Sequence, residues 1–260
     1  MLTKKITLFV GAFIAMSCVW AQPKIDTVST IIPLWIGEEK PTIEISDRMV
    51  SDRSSVAHTN LLRKDIQKLN TGQDVPYLLR FTPSLVTTSD AGTGIGYTGL
   101  WIRGSDPTRI NISLNSIPLN DAESQLVYWV NLPDLASGTS QIQIQRGVGS
   151  STAGPGAFGG SIHVSTFIPS AKPQFIYQSM MGSYKSNRSS LYFHSGLNHG
   201  WAFSGRLSQT QSAGYIDRGS AKLKGYQANI EKSWGAWKFQ ATAFGGNERT
   251  YQAWYGVPHE

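Results

Sequence analysis

Gln141-Ile142-Gln143-Ile144-Gln145-Arg146-Gly147-Val148 alternates polar and apolar side chains up to Arg146 and then breaks at a glycine. A period of two puts Ile142 and Ile144 on one face and Gln143 and Gln145 on the other, so the segment reads as a β-strand with one face in a core. The same period recurs at Leu100–Arg103, Arg109–Leu114 and Ser161–Thr166. Upstream, Thr59 or Asn60 is placed to cap a short helix whose Leu61, Leu62, Ile66 and Leu69 fall at helical spacing, ending near Asn70-Thr71-Gly72. Asp74 is placed to cap a second helix, Val75 to Arg80, which Pro83 stops. Residues 47–170 therefore read as a small α+β domain, a mixed sheet with short helices and Gly-rich loops.

From residue 171 to 260 the character changes. Leu191, Phe193 and Leu197 alternate with Tyr192, His194 and Asn198, and Trp201, Phe203 and Leu207 with Ala202, Ser204 and Arg206. Tyr226, Ala228 and Ile230 alternate with Gln227, Asn229 and Glu231, and Trp237, Phe239 and Ala241 with Lys238, Gln240 and Thr242. Segments of about ten residues with one apolar face and aromatic flanks are the pattern of transmembrane β-strands. A soluble antiparallel sheet with one wet face has the same period, and the N-terminus decides between them. Residues 1–21 combine Lys4 and Lys5, an apolar run from Ile6 to Met16 and a Val19-Trp20-Ala21 cleavage site, which is a secretory signal. The run is too short for a membrane-spanning anchor, and Ala15-Met16-Ser17 is a poor lipobox for Cys18. The mature chain then begins at Gln22 and contains no cysteine, which excludes disulfides, thiol catalysis and cysteine-based zinc sites. Residues 22–46, with Pro23, Pro33 and Pro41, read as an extended arm.

Charged residues are 15% of the 260, well below the roughly 25% of soluble domains. The net charge of +6 includes Lys4 and Lys5, and the remaining cations are dispersed, which argues against nucleic acid as a partner. Gly94-Ile95-Gly96-Tyr97-Thr98-Gly99 matches G-x-G-x-x-G, but a dinucleotide site needs a helix after the glycines, and Leu100–Arg103 reads as strand. The expectation here is a flexible loop. His58, His163, His194, His199 and His259 show no metal-ligand spacing, and no G-x-S-x-G or similar motif is present. No catalytic residue, metal or cofactor is expected.

The ordered motifs from Leu100 to Thr166 resemble the plug domain of TonB-dependent outer-membrane receptors. Ile102-Arg103-Gly104 matches the family's Ile-Arg-Gly strand, and Asn115-Ser116-Ile117-Pro118 its Asp-Gly-x-Pro hairpin. Ile142-Gln143-Ile144-Gln145-Arg146-Gly147-Val148 matches Ile-Glu-Val-x-Arg-Gly-Pro, and Gly154-Pro155-Gly156-Ala157-Phe158-Gly159-Gly160 the Gly-rich end. Asp65–Leu69 and Leu78–Leu85 look like its two plug helices. The departures are Asn115-Ser116 for Asp-Gly, Gln143 for Glu, Val148 for Pro and Ala153 for Tyr. Asn tolerates positive φ, so the hairpin survives, whereas Gln143 removes an acidic partner.

The resemblance implies a plug filling the lumen of a 22-stranded barrel, with residues 171–260 as its first strands and the chain as the N-terminal portion of a transporter. It implies active uptake of a scarce ligand, such as an iron chelate or corrinoid, across the bacterial outer membrane, with TonB and its inner-membrane motor as partners alongside outer-membrane lipid. TonB pairs as a strand with a box near the mature N-terminus; Ile25, Asp26, Thr27, Val28 and Ser29 are the first candidate and Thr42–Ser46 the second. Arg103 with Gly104, and Arg146 with Gly147, are candidate plug–barrel latches that offer forked hydrogen bonds to wall carboxylates; ordinary surface arginines are the alternative. Apical loops around 87–99 and 119–130 would touch ligand, with Asp90, Tyr97, Asn120 and Asp121 as candidates. Two other classes stay open: a non-transporting plug-like binding protein, and a secreted enzyme, which would need a titratable constellation that the sequence does not offer.

Overall fold

Backbone ladders divide the chain into a mixed α+β unit and a long antiparallel sheet packed against it. The computed structural model describes residues 28–33, 49–51, 53–149, 154, 156–166, 170, 172–235 and 237–251. The signal segment 1–21, Ile25 to Thr27 and Thr42 to Ser46 lie outside the described residues.

The α+β unit is built on a five-stranded sheet in the order β2 (His58–Leu62), β7 (Gln141–Arg146), β8 (Gly160–Ser165), β5 (Ile110–Leu114) and β6 (Ile117–Pro118). Only β5 and β8 run parallel. The alternation seen in the sequence sets the faces. Ile110, Ile112, Ile142, Ile144, Ile162 and Val164 point into a core completed by Ile66, Leu79 and Leu100. The opposite face is a polar row across four strands, in which the half-buried Asn60 stands beside the buried Gln143, His163 and Ser113. Gln143 donates to Asn60 Oδ1 at 2.7 Å, and the Ser113 hydroxyl meets His163 Nδ1 at 2.8 Å. Where the family pattern has an acid, the Gln143 amide both accepts from Val50 N (2.7 Å) and donates to Val50 O (2.8 Å). A carboxylate has no N–H for the second bond.

Helix α1 (Arg63–Leu69) starts later than its apolar spacing predicts. Leu61 and Leu62 belong to β2, because pairing Leu61 with Ile142 extends the sheet; their spacing to Ile66 and Leu69 fits a helix equally well, and the ladder decides. Helix α2 (Val75–Leu78) follows Asp74. A separate hairpin joins β3 (Leu85–Ser89), which the sequence reading did not include, to β4 (Thr98–Ile102). Asn115 and Ser116 both take positive φ, 49° and 69°, so the β5–β6 turn is of the type that Asp-Gly would form.

The long sheet comprises β9 (Gln174–Gly182), β10 (Ser186–His194), β11 (Trp201–Ser212), β12 (Ala221–Trp234) and β13 (Trp237–Thr250), each antiparallel to the next. Strand β1 (Val28–Pro33) pairs with the outer edge of β9, Val28 opposite Met181. This part of the expected extended arm is a strand. The sheet is inverted relative to a soluble one. Polar Arg188, Ser190, His194, Ser204, Arg206, Gln227 and Asn229 are buried against the α+β unit, while Phe193, Phe203, Leu207, Tyr226 and Phe239 are exposed on the outside. An apolar exterior of this extent belongs in lipid. Strands β11 to β13, of 12, 14 and 14 residues, exceed the 9–11 or so that span a bilayer. No described helix is long and apolar enough to cross a membrane.

Candidate functional site

The α+β unit meets the wall at Pro133-Asp134. Gly225 and Gly246 are opposite each other on β12 and β13 and face inward, leaving a flat patch with no side chains. Pro133 lies on that patch; a Cβ on Gly225 would stand 2.8 Å from the Pro133 carbonyl oxygen. The next residue, Asp134, adopts a left-handed conformation (φ 54°) and opens a single 3-10 turn, Leu135–Gly138. That conformation aims its carboxylate at the wall.

There it meets two arginines. Asp134 Oδ1 is 2.7 Å from Arg188 Nε on β10, and Oδ2 is 3.4 Å from Arg206 Nη1 on β11. All three side chains are at least 96% buried, counting from exposures of 2–4%. Arg206 also donates to Pro133 O (3.1 Å) and Ser208 Oγ (2.8 Å). Arg188 donates to Gln178 Oε1 (3.2 Å), to Met180 Sδ (3.1 Å) and to Ser137 Oγ. Ser137 in turn donates to Asp134 Oδ1 (2.7 Å) and accepts from Asn70 Nδ2 (3.1 Å). The contact continues along the wall: Asn115 donates to Thr242 Oγ1 (2.9 Å), Thr166 meets Asn229 (3.3 Å), and the Arg63 guanidinium lies 4.8 Å over the Tyr192 ring.

At this contact the acid is on the α+β unit and the arginines are on the wall. Arg146 donates to its own unit's carbonyls, Pro83 O (3.4 Å) and His58 O (3.3 Å). Arg103 takes φ 52° in a tight turn with Gly104, and its guanidinium lies beside Gly147. Neither reaches a wall carboxylate among the described residues. Strand parity alone marks Arg188 and Arg206 as inward-facing, but their partner is invisible in sequence because Asp134 lies in an irregular loop.

The Gly-rich loop, expected to be flexible, is held by side-chain hydrogen bonds from Asp74 and Gln73. Asp74 Oδ2 accepts from Gly96 N (3.0 Å) and Thr98 Oγ1 (3.3 Å), and Gln73 donates to Thr93 O (2.7 Å). Burial pushes the Asp74 carboxyl up to about 8, against the lowering effect of the hydrogen bonds from Gly96 and Thr98; the negative charge of Asp134 adds to the rise. The loop packs on the β11–β12 connection, where Tyr215 N and Ile216 N both donate to Ala91 O. Ile95 and Val130, from the two expected ligand loops, meet on Ala221 and Leu223.

Of the four ligand-loop candidates, Asp90 and Tyr97 line a crevice against Gly219–Ala221. Asn120 is spent on structure, accepting from Ile112 N and donating to Ile110 O and Gln125 O. The exposed Asp121 caps its own loop, accepting from Ser124 N (2.7 Å) and Ser124 Oγ (2.9 Å), which lowers its carboxyl. A larger cleft of about 240 Å³ opens between Thr71–Gln73, Gly92–Ile95 and the β9–β10 hairpin, with Arg188 at its edge. Among the described residues no group of His, Cys, Asp or Glu is placed to hold a metal ion.

Residues 51–161 match the profile of the TonB-dependent receptor plug domain. They are a TonB-dependent receptor plug domain. About three quarters of the chain resembles solved receptors at low identity. The ferric yersiniabactin uptake receptor of Yersinia pestis aligns over 76% of the chain at 15% identity (TM-score 0.61). A copper transporter, OprC, aligns over 78% at 16% (0.65), and the siderophore receptor PirA of Acinetobacter baumannii over 75% at 17% (0.57). At such identities the likeness shows the fold: a plug followed by the start of a barrel. The aligned regions are 32%, 33% and 32% of those chains, so the protein spans about a third of their length. No curated protein sequence is significantly similar to it.

Two outcomes follow. Gly225→Ala drives a Cβ against the carbonyl oxygen and the ring of Pro133, neither of which can rotate aside, and so lifts Asp134 from the wall; urea unfolding should show a loss of about 1–3 kcal/mol. Asp74 gains a second, pH-dependent outcome. Between its ordinary value of 3.8 and about 8 the folded plug keeps a proton that the unfolded chain releases, so stability falls as pH rises through that window. Asp74→Asn should flatten that slope in thermal unfolding; an unchanged slope contradicts the assignment.

Proposed function

We propose that the protein acts in TonB-dependent active uptake of a scarce ligand, an iron chelate, corrinoid or similar metal complex, across the bacterial outer membrane. The observation that carries this is a plug domain held by a buried acid–arginine contact against the polar inner face of a lipid-facing strand sheet. The receptors and the transporter it resembles in fold handle siderophores and copper, which agrees with a metal-complex ligand. Asp90 and Tyr97, which line the crevice against Gly219–Ala221, and the exposed Asp121 are the polar side chains proposed to meet ligand. Arg103, with an exposed side chain, is available to a further wall carboxylate.

Movement of the plug needs mechanical work, since the polar contacts at Asp134, Asn115 and Thr166 must be broken together. The proposed source is TonB, paired with the segment Ile25–Ser29 or, failing that, Thr42–Ser46. The addition of β1 to the β9 edge supports the first choice, since Val28 and Ser29 there pair antiparallel with Met181 and Met180. Val28→Pro removes a ladder N–H and restricts its neighbour. In cells dependent on this receptor, supplied with single iron, cobalamin or glycan sources, the variant should lose uptake while ligand still binds the cell surface. Unchanged uptake contradicts the choice of segment, and surface binding by the unaltered receptor without accumulation contradicts transport itself.

A further inference from the structure

The outside of the wall carries a cluster of three cations at one end, opposite the end where the single Lys232 lies over the Trp201 ring. On β12, Lys222 and Lys224 alternate with buried Ala221, Leu223 and Gly225, so both point outward and both are exposed. Arg249 on β13 is paired directly with Lys222 and is exposed on the same face. No carboxylate among the described residues lies within ion-pair distance of any of the three; the one ion pair within β12 and β13, Lys238–Glu231, lies toward the other end. Their neighbours across the ladders are uncharged amides: Gln211 opposite Lys222, Gln209 and Asn247 opposite Lys224. Like charges directly opposite one another weaken a sheet, so this arrangement costs stability unless an anion joins it.

Depth identifies the level at which that anion sits. The other end of the outer face is marked by aromatic rings: Trp234 is paired with Trp237, and Trp201 stacks on Phe203 at 5.8 Å. From Trp234 to Lys222 the strand advances about 41 Å. At the usual tilt of about 40° that is ~30 Å along the membrane normal, beyond the ~25 Å apolar band. With the rings at one interface, the cations reach the headgroups of the other. The long connection 213–220 lies on the cation side and the short turn between Trp234 and Trp237 on the ring side, which makes the cation side the outer one.

We propose that Lys222, Lys224 and Arg249 form a docking surface for the phosphorylated headgroup of an outer-leaflet lipid, with Gln209, Gln211 and Asn247 supplying amide hydrogen bonds to it. The proposal rests on the outward face meeting lipid, as the uptake function requires. Charge complementarity selects the occupant: three clustered cations on a surface otherwise facing hydrocarbon match a phosphate, whereas an acidic protein segment would have to reach them at the bilayer boundary.

The test uses the full chain in phosphatidylcholine nanodiscs, titrated with bisphosphorylated lipid A, with its dephosphorylated form and with inorganic phosphate, and read by native mass spectrometry. The phosphorylated lipid should bind and the other two should not compete. Each cation removed should weaken binding about fivefold, so Lys222→Gln/Lys224→Gln/Arg249→Gln should lose about a hundredfold. Lys232→Gln, which alters a lysine over the Trp201 ring at the opposite interface, should bind as the unaltered chain does. Equal binding by the triple variant, or equal binding of the dephosphorylated lipid, overturns the proposal. A chain that fails to enter nanodiscs at all contradicts the lipid-facing wall, a separate and earlier failure.

Discussion

Asp134 has to stand between Arg188 and Arg206. Two guanidinium groups on the inner face of a wall, cut off from water by the plug on one side and lipid on the other, are costly unless an anion meets them. Removing one member of such a buried group costs about 3–5 kcal/mol, mostly because it strands the charge that remains. The surrounding structure delivers the carboxylate to that point. Pro133 sits on the bare backbone of Gly225 and Gly246, the left-handed backbone at Asp134 turns the side chain outward, and Ser137 holds one carboxylate oxygen while contacting Arg188. Such a contact adds little net stability over an apolar one, but it fixes where the plug sits.

The wall allows this because it is built inside out. With aromatics and aliphatics facing lipid, its inner face is free to be polar, and the plug turns polar atoms toward it: Asn115 to Thr242, Thr166 to Asn229, Asp134 to the arginines. A polar interface of this kind holds the plug in register yet exchanges its hydrogen bonds for water when the plug shifts, which an apolar interface of equal area does not. The same inversion leaves Lys222, Lys224 and Arg249 conspicuous, since they cluster just beyond the apolar band of the outer face.

Much of this was legible in the sequence wherever local pattern decides. The limits of β7 follow from unbroken alternation at Gln141–Arg146, and the inward set of β11, Arg206 included, follows from parity with Trp201, Phe203 and Leu207. Where a segment satisfies two periods, tertiary pairing chose: Leu61 and Leu62 suit a helix but are held as strand by Ile142. The glycines of 94–99 suggested mobility, because nothing in the local sequence shows that a buried Asp74 twenty-two residues before Gly96 collects its backbone N–H. Asn120 looked available in a loop and is fully engaged by three backbone groups. Asp134 carried no local mark at all, since its role depends on two arginines 54 and 72 positions further along the chain.

The most direct test of the account is a double-mutant cycle between Asp134→Asn and Arg188→Gln, with unfolding free energies measured in urea on the protein refolded into a bilayer. A buried ion pair that seats the plug on the wall predicts a coupling energy of about 1–3 kcal/mol. Additive effects, with coupling indistinguishable from zero, would contradict it and leave the plug held by shape alone.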